Sequence, residues 1–399
     1  MGTQREPVTF TKDTAVRRGL RALAAVLLAA SGLAAADLDN DGLDDAWEAA
    51  NGYNTSLYTR IVYVDAANGD DDAGDGGTAA TALRSLGAAL ALNFTEGDEI
   101  VVLVAPGTYS GAANRGLDFG GRDIWLRASG GAAQTIIDLE GAGRLLSLTG
   151  GETLASRLDG FTVRNGYMAS CGIAVHLENA SLDIRGCVFE DNRSGRRETY
   201  DHGDGQTETW WTDACSTAAI YASGAPVRIT GTVFRRNAST ETMYGGMGTD
   251  SAGALVLADA DGSVVEDCLF LGNSGRGAGA VALYGTEAIF RRCRFRRNVS
   301  LTGGGGVSAS ALWDWETGGA DGGSVVLESC LLLGNRAFGD HSDLLVGAGC
   351  TATLRHVTAS GGTSRGGHAI RLEGDADISD SILDGALSLG EGAVLAADR

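Results

Sequence analysis

The chain has 399 residues, with 61 glycines against 3 prolines, 44% hydrophobic residues, and 31 basic against 51 acidic side chains for a formal charge of −20. Glycine without a three-residue period excludes a collagen helix. An acidic balance with Lys12 as the one lysine argues against recognition of nucleic acid through its phosphates and predicts repulsion from anionic surfaces and anionic glycans, except where cations or a local arginine patch intervene.

Taken in chain order, Arg17, Arg18 and Arg21 precede the apolar run LAAVLLAASGLAAA, which closes on Ala34–Ala36. A basic region, an apolar stretch and a small-residue end predict a secretory signal over residues 1–36, with cleavage before Asp37 and an exported product, extracellular, periplasmic or at the cell surface. No later apolar stretch is long enough to predict a transmembrane helix. Seven cysteines stand at 171, 187, 215, 268, 293, 330 and 350. Export suggests disulfides, and an odd count leaves at least one thiol unpaired within the chain.

Residues 37–60 open with DLDNDGLDDAWE. Asp37, Asp39 and Asp41 offer carboxylates, Leu43 its carbonyl, Asp45 a water-bridged contact and Glu48 a bidentate carboxylate, while Gly42 permits the sharp turn. Hard oxygen donors at this spacing suit Ca²⁺ and not zinc. With no room for a preceding helix once a signal is removed, the segment resembles the calcium-binding loops of thrombospondin type 3 and dockerin modules. That resemblance implies a structural ion stiffening the N-terminus of the processed chain.

Over residues 61–97, alternation around Ile61 and Tyr63 predicts a strand, an Asp/Gly loop follows, and Leu83, Leu86 and Leu90 predict an amphipathic helix within 79–92. A strand closed by Pro106–Gly107 comes next. The order Tyr-Val-Asp, Gly-Asp-Asp, Ser-Leu helix, Gly-Asp-Glu-Ile, Ala-Pro-Gly-Thr-Tyr resembles the lead-in to right-handed parallel β-helices of the pectin-lyase-like superfamily. The resemblance implies that the short helix caps the open first coil.

From 98 to 399 one pattern recurs. Asn192, Asn237, Asn273, Asn298 and Asn335 each lie five residues after Cys187, Thr232, Cys268, Cys293 and Cys330, and three after Phe189, Phe234, Phe270, Phe295 and Leu332. Asn165 opens the series as a variant, with Phe161 and Val163 read in the opposite phase. A unit near 25–27 residues with inserts predicts an all-β, single-stranded right-handed parallel β-helix of three strands and three turns per coil. Cysteine then acts as a small apolar filler, with an occasional disulfide open to it, and each asparagine takes a left-handed turn and bonds to the next. The Gly-Ala-rich strand followed by Phe-x-x-Asn resembles the repeats of polymorphic outer membrane proteins. Their C-terminal barrel has no counterpart here, and about one strand is expected after Gly385, a thinly capped end.

The segments that interrupt the repeat are 193–216, 238–251 and 301–323. They carry Trp210, Trp211, Trp313 and Trp315, with Tyr200 and Tyr244, beside Asp201, Asp204, Asp213, Asp314 and Glu316. Aromatic faces next to carboxylates suit sugar rings, provided that the segments emerge on one side; otherwise these aromatics only pack their own loops. The expectation is therefore a surface or secreted protein, leaning to non-catalytic binding or adhesion with a polysaccharide or cell-surface glycan as partner. The alternatives are a polysaccharide lyase or glycoside hydrolase of the pectin-lyase-like type and a purely structural surface protein. For catalysis, Asp183, Asp191, Asp259, Asp261 and Asp267 would have to meet. A ridge of Arg291, Arg292, Arg294, Arg296 and Arg297 would hold an anionic sugar or balance acidic neighbours. The five histidines lack zinc-ligand spacing.

Overall fold

The computed structural model describes residues 36–41, 43–95, 97–168, 171–194, 196–201, 207–212, 218–239, 251–313, 320–339, 341–365 and 368–397. The secretory signal predicted over 1–36 lies, but for Ala36, outside the described residues. The chain divides into two compact units at Thr59 and Arg60.

The second unit is a right-handed parallel β-helix. One coil shows the plan: Val175–Glu178, Leu182–Arg185 and Val188–Glu190 run in turn through three walls of the solenoid. Among the described residues, stacking of successive coils gives sheet A, which holds Leu182–Arg185 and has twelve strands, sheet B, which holds Val188–Glu190 and has ten, and sheet C, which holds Val175–Glu178 and has nine. Successive strands pair in parallel, as in Val175↔Ile220, Leu182↔Val227 and Val188↔Val233. Strands this short alternate in and out, so identical inward positions stack coil upon coil. Each corner is turned by one left-handed residue: Asn179 between sheets C and A, Gly186 between A and B, and Asp191 after B, with φ of 53°, 55° and 55°.

The inner column of sheet B carries the aromatic repeat. Phe189, Phe234, Phe270 and Phe295 stack with centroids 5.3, 4.9 and 4.8 Å apart and rings within 12° of parallel. Offset stacking and complete burial reinforce each other here. Val163 continues this column toward the N-terminus, and Phe161 stands level with Cys187. The two residues are thus in phase with the later repeats, against the sequence reading. Only Asn165 is out of step, by one place: it occupies the left-handed corner (φ 56°), and Gly166 stands in the asparagine row.

That row is continuous. Asn192, Asn237, Asn273 and Asn298 each donate a side-chain amide N–H to Oδ1 of the next asparagine at 3.0 Å, and each is fully buried. The same Oδ1 also accepts the backbone N–H of the preceding asparagine, for example Asn273 N to Asn298 Oδ1 at 2.9 Å. The left-handed residue precedes each asparagine (Asp191, Arg236, Gly272, Arg297, Gly334), which leaves the asparagine itself free to point inward.

Cys187, Cys268, Cys293, Cys330 and Cys350 are free and buried. Their role is filler: the thiols of the first four donate to main-chain carbonyls, as Cys293 Sγ does to Val265 O at 3.4 Å. Cys171 is disulfide-bonded, and Cys215 lies outside the described residues.

The lead-in departs from expectation. The helix α2 spans only Leu86–Leu90, N-capped by Ser85, after a 3-10 turn at Ala79–Thr81. Leu83 instead forms a parallel bridge to Val64, so its burial comes from pairing. Leu86, Ala89 and Leu90 join the core that contains Val64, Val102 and Phe119, which covers the apolar first coil. At the other end two strands, Ala386–Leu389 and Leu395–Ala397, follow Gly385 where one was expected.

Candidate functional site

The outer face of sheet A concentrates charge over four coils. Along one outward column the Cα partners are Trp125, Arg157, Asp183 and Arg228; along the next they are Arg127, Asp159, Arg185 and Thr230. The inward residues between them are Leu126, Leu158, Ile184 and Ile229, all buried. Alternation thus turns every polar residue of these strands outward, onto a surface where each carboxylate stands between two guanidinium groups of its own column.

Asp183 is almost wholly buried beneath its partners. Arg185 Nε and Nη2 reach it at 3.1 and 2.6 Å, and Arg228 Nη1 lies 3.7 Å away. Trp125 presents its ring faces to the guanidinium groups of Arg127 and Arg157, 4.6 and 4.8 Å from the centroid. Asp159 differs from Asp183. Burial pushes its carboxyl above the ordinary range, although Arg127 and Arg185 oppose the shift. Arg185 and Arg228 remain roughly half exposed, so the cluster opens to solvent. The signal legible in the sequence was the repeated charge within WLR, RLD, LDIR and VRIT, which only a coil register could bring into one patch.

A second feature lies at the corner after sheet B. Glu140, Asn165, Tyr167, Asp191 and Arg193, from three coils, line an open groove of about 420 Å³. Glu140 accepts from Gly111 N at 3.0 Å and Arg115 Nη1 at 3.2 Å. Arg236 bonds Asp191 at 3.0 and 2.6 Å and holds its carboxyl below the usual range, which suits it to accept hydrogen bonds and unsuits it as a general acid.

The first unit holds the acidic loop. Asp37, Asp39 and Asp41 bring carboxylate oxygens within 4.8 Å of one another, the only group of three or more such ligands among the described residues. Asp39 Oδ2 and Glu48 Oε2 are buried without a hydrogen-bond partner. Glu48 lies on α1, Asp45–Asn51, and is fully buried. Burial raises the carboxyls of both Asp39 and Glu48, with Asp41 adding to each. Orphaned, mutually repelling oxygens are what a divalent cation would satisfy, so the residues fit a hard ion. Thr59 N and Oγ1 bond Asp41 Oδ2 and Glu48 Oε1 at 2.8 and 3.3 Å. Asp45 is turned aside and accepts from Leu38 N at 2.9 Å, and Gly42 lies outside the described residues.

The remaining sequence candidates are dispersed. Asp191 and Asp267 are neutralised by Arg236 and Arg292 of the next coil, Asp259 turns a corner at φ 49°, and Asp261 accepts from Glu287 N. With Asp183 under its arginines, these five form no shared cluster. Trp210 and Trp211 lie on the hairpin strand Thr207–Thr212, paired with Arg196–Asp201, which carries Tyr200 and Asp201. This hairpin precedes a sheet C strand, Ile220–Ser223. Trp313 lies on Leu312–Trp313, which follows another, Val307–Ser310. The two segments therefore leave the solenoid at opposite edges of sheet C, and the third interruption contains a regular coil strand. Trp315, Tyr244, Asp204, Asp213, Asp314 and Glu316 lie outside the described residues.

No family model matches the sequence, and no curated protein matches it. Solved structures match at the level of the coil. A mannuronic acid specific polysaccharide family 6 lyase from human gut microbiota is 14% identical over 75% of this chain and 77% of its own, with a TM-score of 0.35. A pectate lyase is 12% identical over 91% and 82%, with a TM-score of 0.38. A GH136 lacto-N-biosidase from Eubacterium ramulus is 12% identical over 89% and 69%, with a TM-score of 0.30. All three are named as enzymes, two lyases and a biosidase, which runs against the lean of the sequence reading toward a non-catalytic protein.

Proposed function

We propose that the chain is an enzyme of acidic polysaccharides, a lyase working on the outer face of sheet A. The observation that carries this reading is Asp159, an acid raised by burial and set between Arg127 and Arg185 on a surface with two further arginines. Elimination from a uronate unit needs its carboxylate neutralised, the carbon-bound proton next to that carboxylate taken by a base, and a proton delivered to the departing oxygen. Half-exposed Arg185 and Arg228 supply the first. Asp159, raised by burial and so a stronger base than an ordinary aspartate when ionised, takes the proton from carbon and returns it to the departing oxygen, so one group closes the proton balance. Hydrolysis fits less well, because it needs a second carboxylate free to act on water or sugar, and Asp183 is locked by Arg185. The Trp-bearing segments at the edges of sheet C would extend the contact with the glycan.

Incubation with polygalacturonate and alginate, followed by ultraviolet absorbance of unsaturated products, tests the reading. Product formation should vanish in Asp159→Asn while circular dichroism is unchanged. A flat trace on every polyuronate, or an unaffected Asp159→Asn, would sink it.

The acidic loop is proposed as a structural Ca²⁺ site, with Asp37, Asp39, Asp41, Glu48 and the Leu43 carbonyl as ligands and Asp45 reached through water. Its buried orphan oxygens support this. The ion would neutralise clustered carboxylates and stiffen the segment, with no part in turnover.

A further inference from the structure

The five arginines read as one ridge divide into two groups. Arg291 and Arg292 are committed: Arg291 bridges Glu266 and Glu328 at 3.0 and 2.8 Å, and Arg292 meets Asp267 at 2.8 Å. Arg294, Arg296 and Arg297 are exposed and make no ion pair among the described residues. The cause lies in the neighbouring coils. Elsewhere on sheet B a charged outward residue finds its partner one coil away, as Arg164 finds Asp138 and Arg235 finds Glu190. Around Arg294 the adjacent coils supply Leu269 and Leu331; around Arg296 they supply Leu271 and Leu333. The corners level with Arg297 are Gly272 and Gly334.

We propose that this ledge on sheet B is a second, non-catalytic docking surface for a carboxylated polysaccharide, distinct from the outer face of sheet A. It rests on the reading of the chain as acting on acidic glycans. Arg294 and Arg296 point the same way about 7 Å apart along the strand, with Arg297 just beyond, so they meet successive carboxylates of one extended polymer. The four half-buried leucines above and below offer apolar surface to the C–H faces of sugar rings. In a chain of charge −20, long-range forces repel polyanions, so such a partner is held only where local cations are left without a protein partner.

Affinity electrophoresis of the full chain through gels containing polygalacturonate, alginate or neutral dextran tests this, alongside the Arg294→Ala/Arg296→Ala/Arg297→Ala variant. All three side chains are exposed, so folding should be unchanged by circular dichroism. Expected is retardation by a polyuronate and not by dextran, about tenfold weaker in the triple variant and unaffected by Asp159→Asn. Equal retardation of the triple variant and the natural chain, no retardation in any polyuronate, or displacement by a DNA oligomer as effective as by uronate oligomers overturns the proposal. Retardation lost in the triple variant with no elimination product from the natural chain keeps the docking surface and removes the lyase reading. Product formation with an unaffected triple variant does the reverse.

Discussion

Asn335 donates its side-chain amide to Asp343 Oδ1 at 2.7 Å, in the coil where the asparagine row would continue but Gly362 occupies the place. The carboxylate also accepts from the backbone of Asn335, so it stands in for the missing Oδ1 of the next rung. A register shift in His341–Val346, between His341 and Leu344, accompanies this placement.

Asp343 is fully buried, its Oδ2 has no partner, and burial raises its pKa to about 7. A raised carboxyl binds its proton more tightly in the folded state, so its stabilising contribution is complete below about pH 4 and is lost as pH rises through about 7. Asp343→Asn is expected to flatten this dependence and to stabilise the chain by about 1–3 kcal/mol at pH 8. Thermal melts of both proteins from pH 5 to pH 8 check it; parallel curves would contradict it.

Removing one rung should be felt along the axis. Phe270→Ala opens a hole between two stacked rings and is expected to cost about 3–5 kcal/mol. Asn273→Ala strands both the main-chain N–H and the side-chain amide N–H of Asn237, at about 2–4 kcal/mol. Urea unfolding of each variant gives both numbers, and a loss below about 1 kcal/mol for either would disprove its place in a packed column.

For the acidic loop, raised Asp39 and Glu48 carboxyls hold protons that a cation must displace, so Ca²⁺ affinity should fall with falling pH. Titration calorimetry between pH 5 and 7.5 reads this directly. Glu48→Gln should weaken binding about tenfold or more, and added Ca²⁺ should slow proteolysis within residues 36–60 in the natural chain only.

The buried thiols should be inert. Burial lifts Cys187 to about 12, and Cys330 is raised by its neighbour Cys293 and by burial. A thiol reagent should therefore label none of Cys187, Cys268, Cys293, Cys330 or Cys350 until the chain is unfolded. Rapid labelling of any of them in the folded protein, read by mass spectrometry, would refute their role as filler.

What the sequence revealed and what it hid follow from periodicity. Cys-x-Phe-x-x-Asn recurs because an inward column demands the same shape at each coil, so a column can be read from the chain alone. Asp159, Asp183 and Arg228 recur in no motif; their adjacency depends on the lengths of the corners between coils, which set the register. Phe161 was misread for the same reason: Asn165 lies one place early, and counting back from it shifts the phase. The helix within 79–92 was overdrawn because leucines at three- and four-residue spacing also suit a bridge followed by a short helix. Asp343 lay hidden because an acid in a strand looks solvent-facing until its coil is stacked.

The asparagine row has a sense. Every side-chain amide points its N–H toward the C-terminal coil and its carbonyl toward the N-terminal one, so the small dipoles add as peptide dipoles add in a helix. Asp343 therefore stands at the electropositive end of an axial wire of amides, where an acid is the fitting terminator. Duplicating a 25-residue unit such as 274–298 would lengthen the solenoid upstream of that acid without disturbing it, whereas a coil inserted beyond it would begin with no amide to continue.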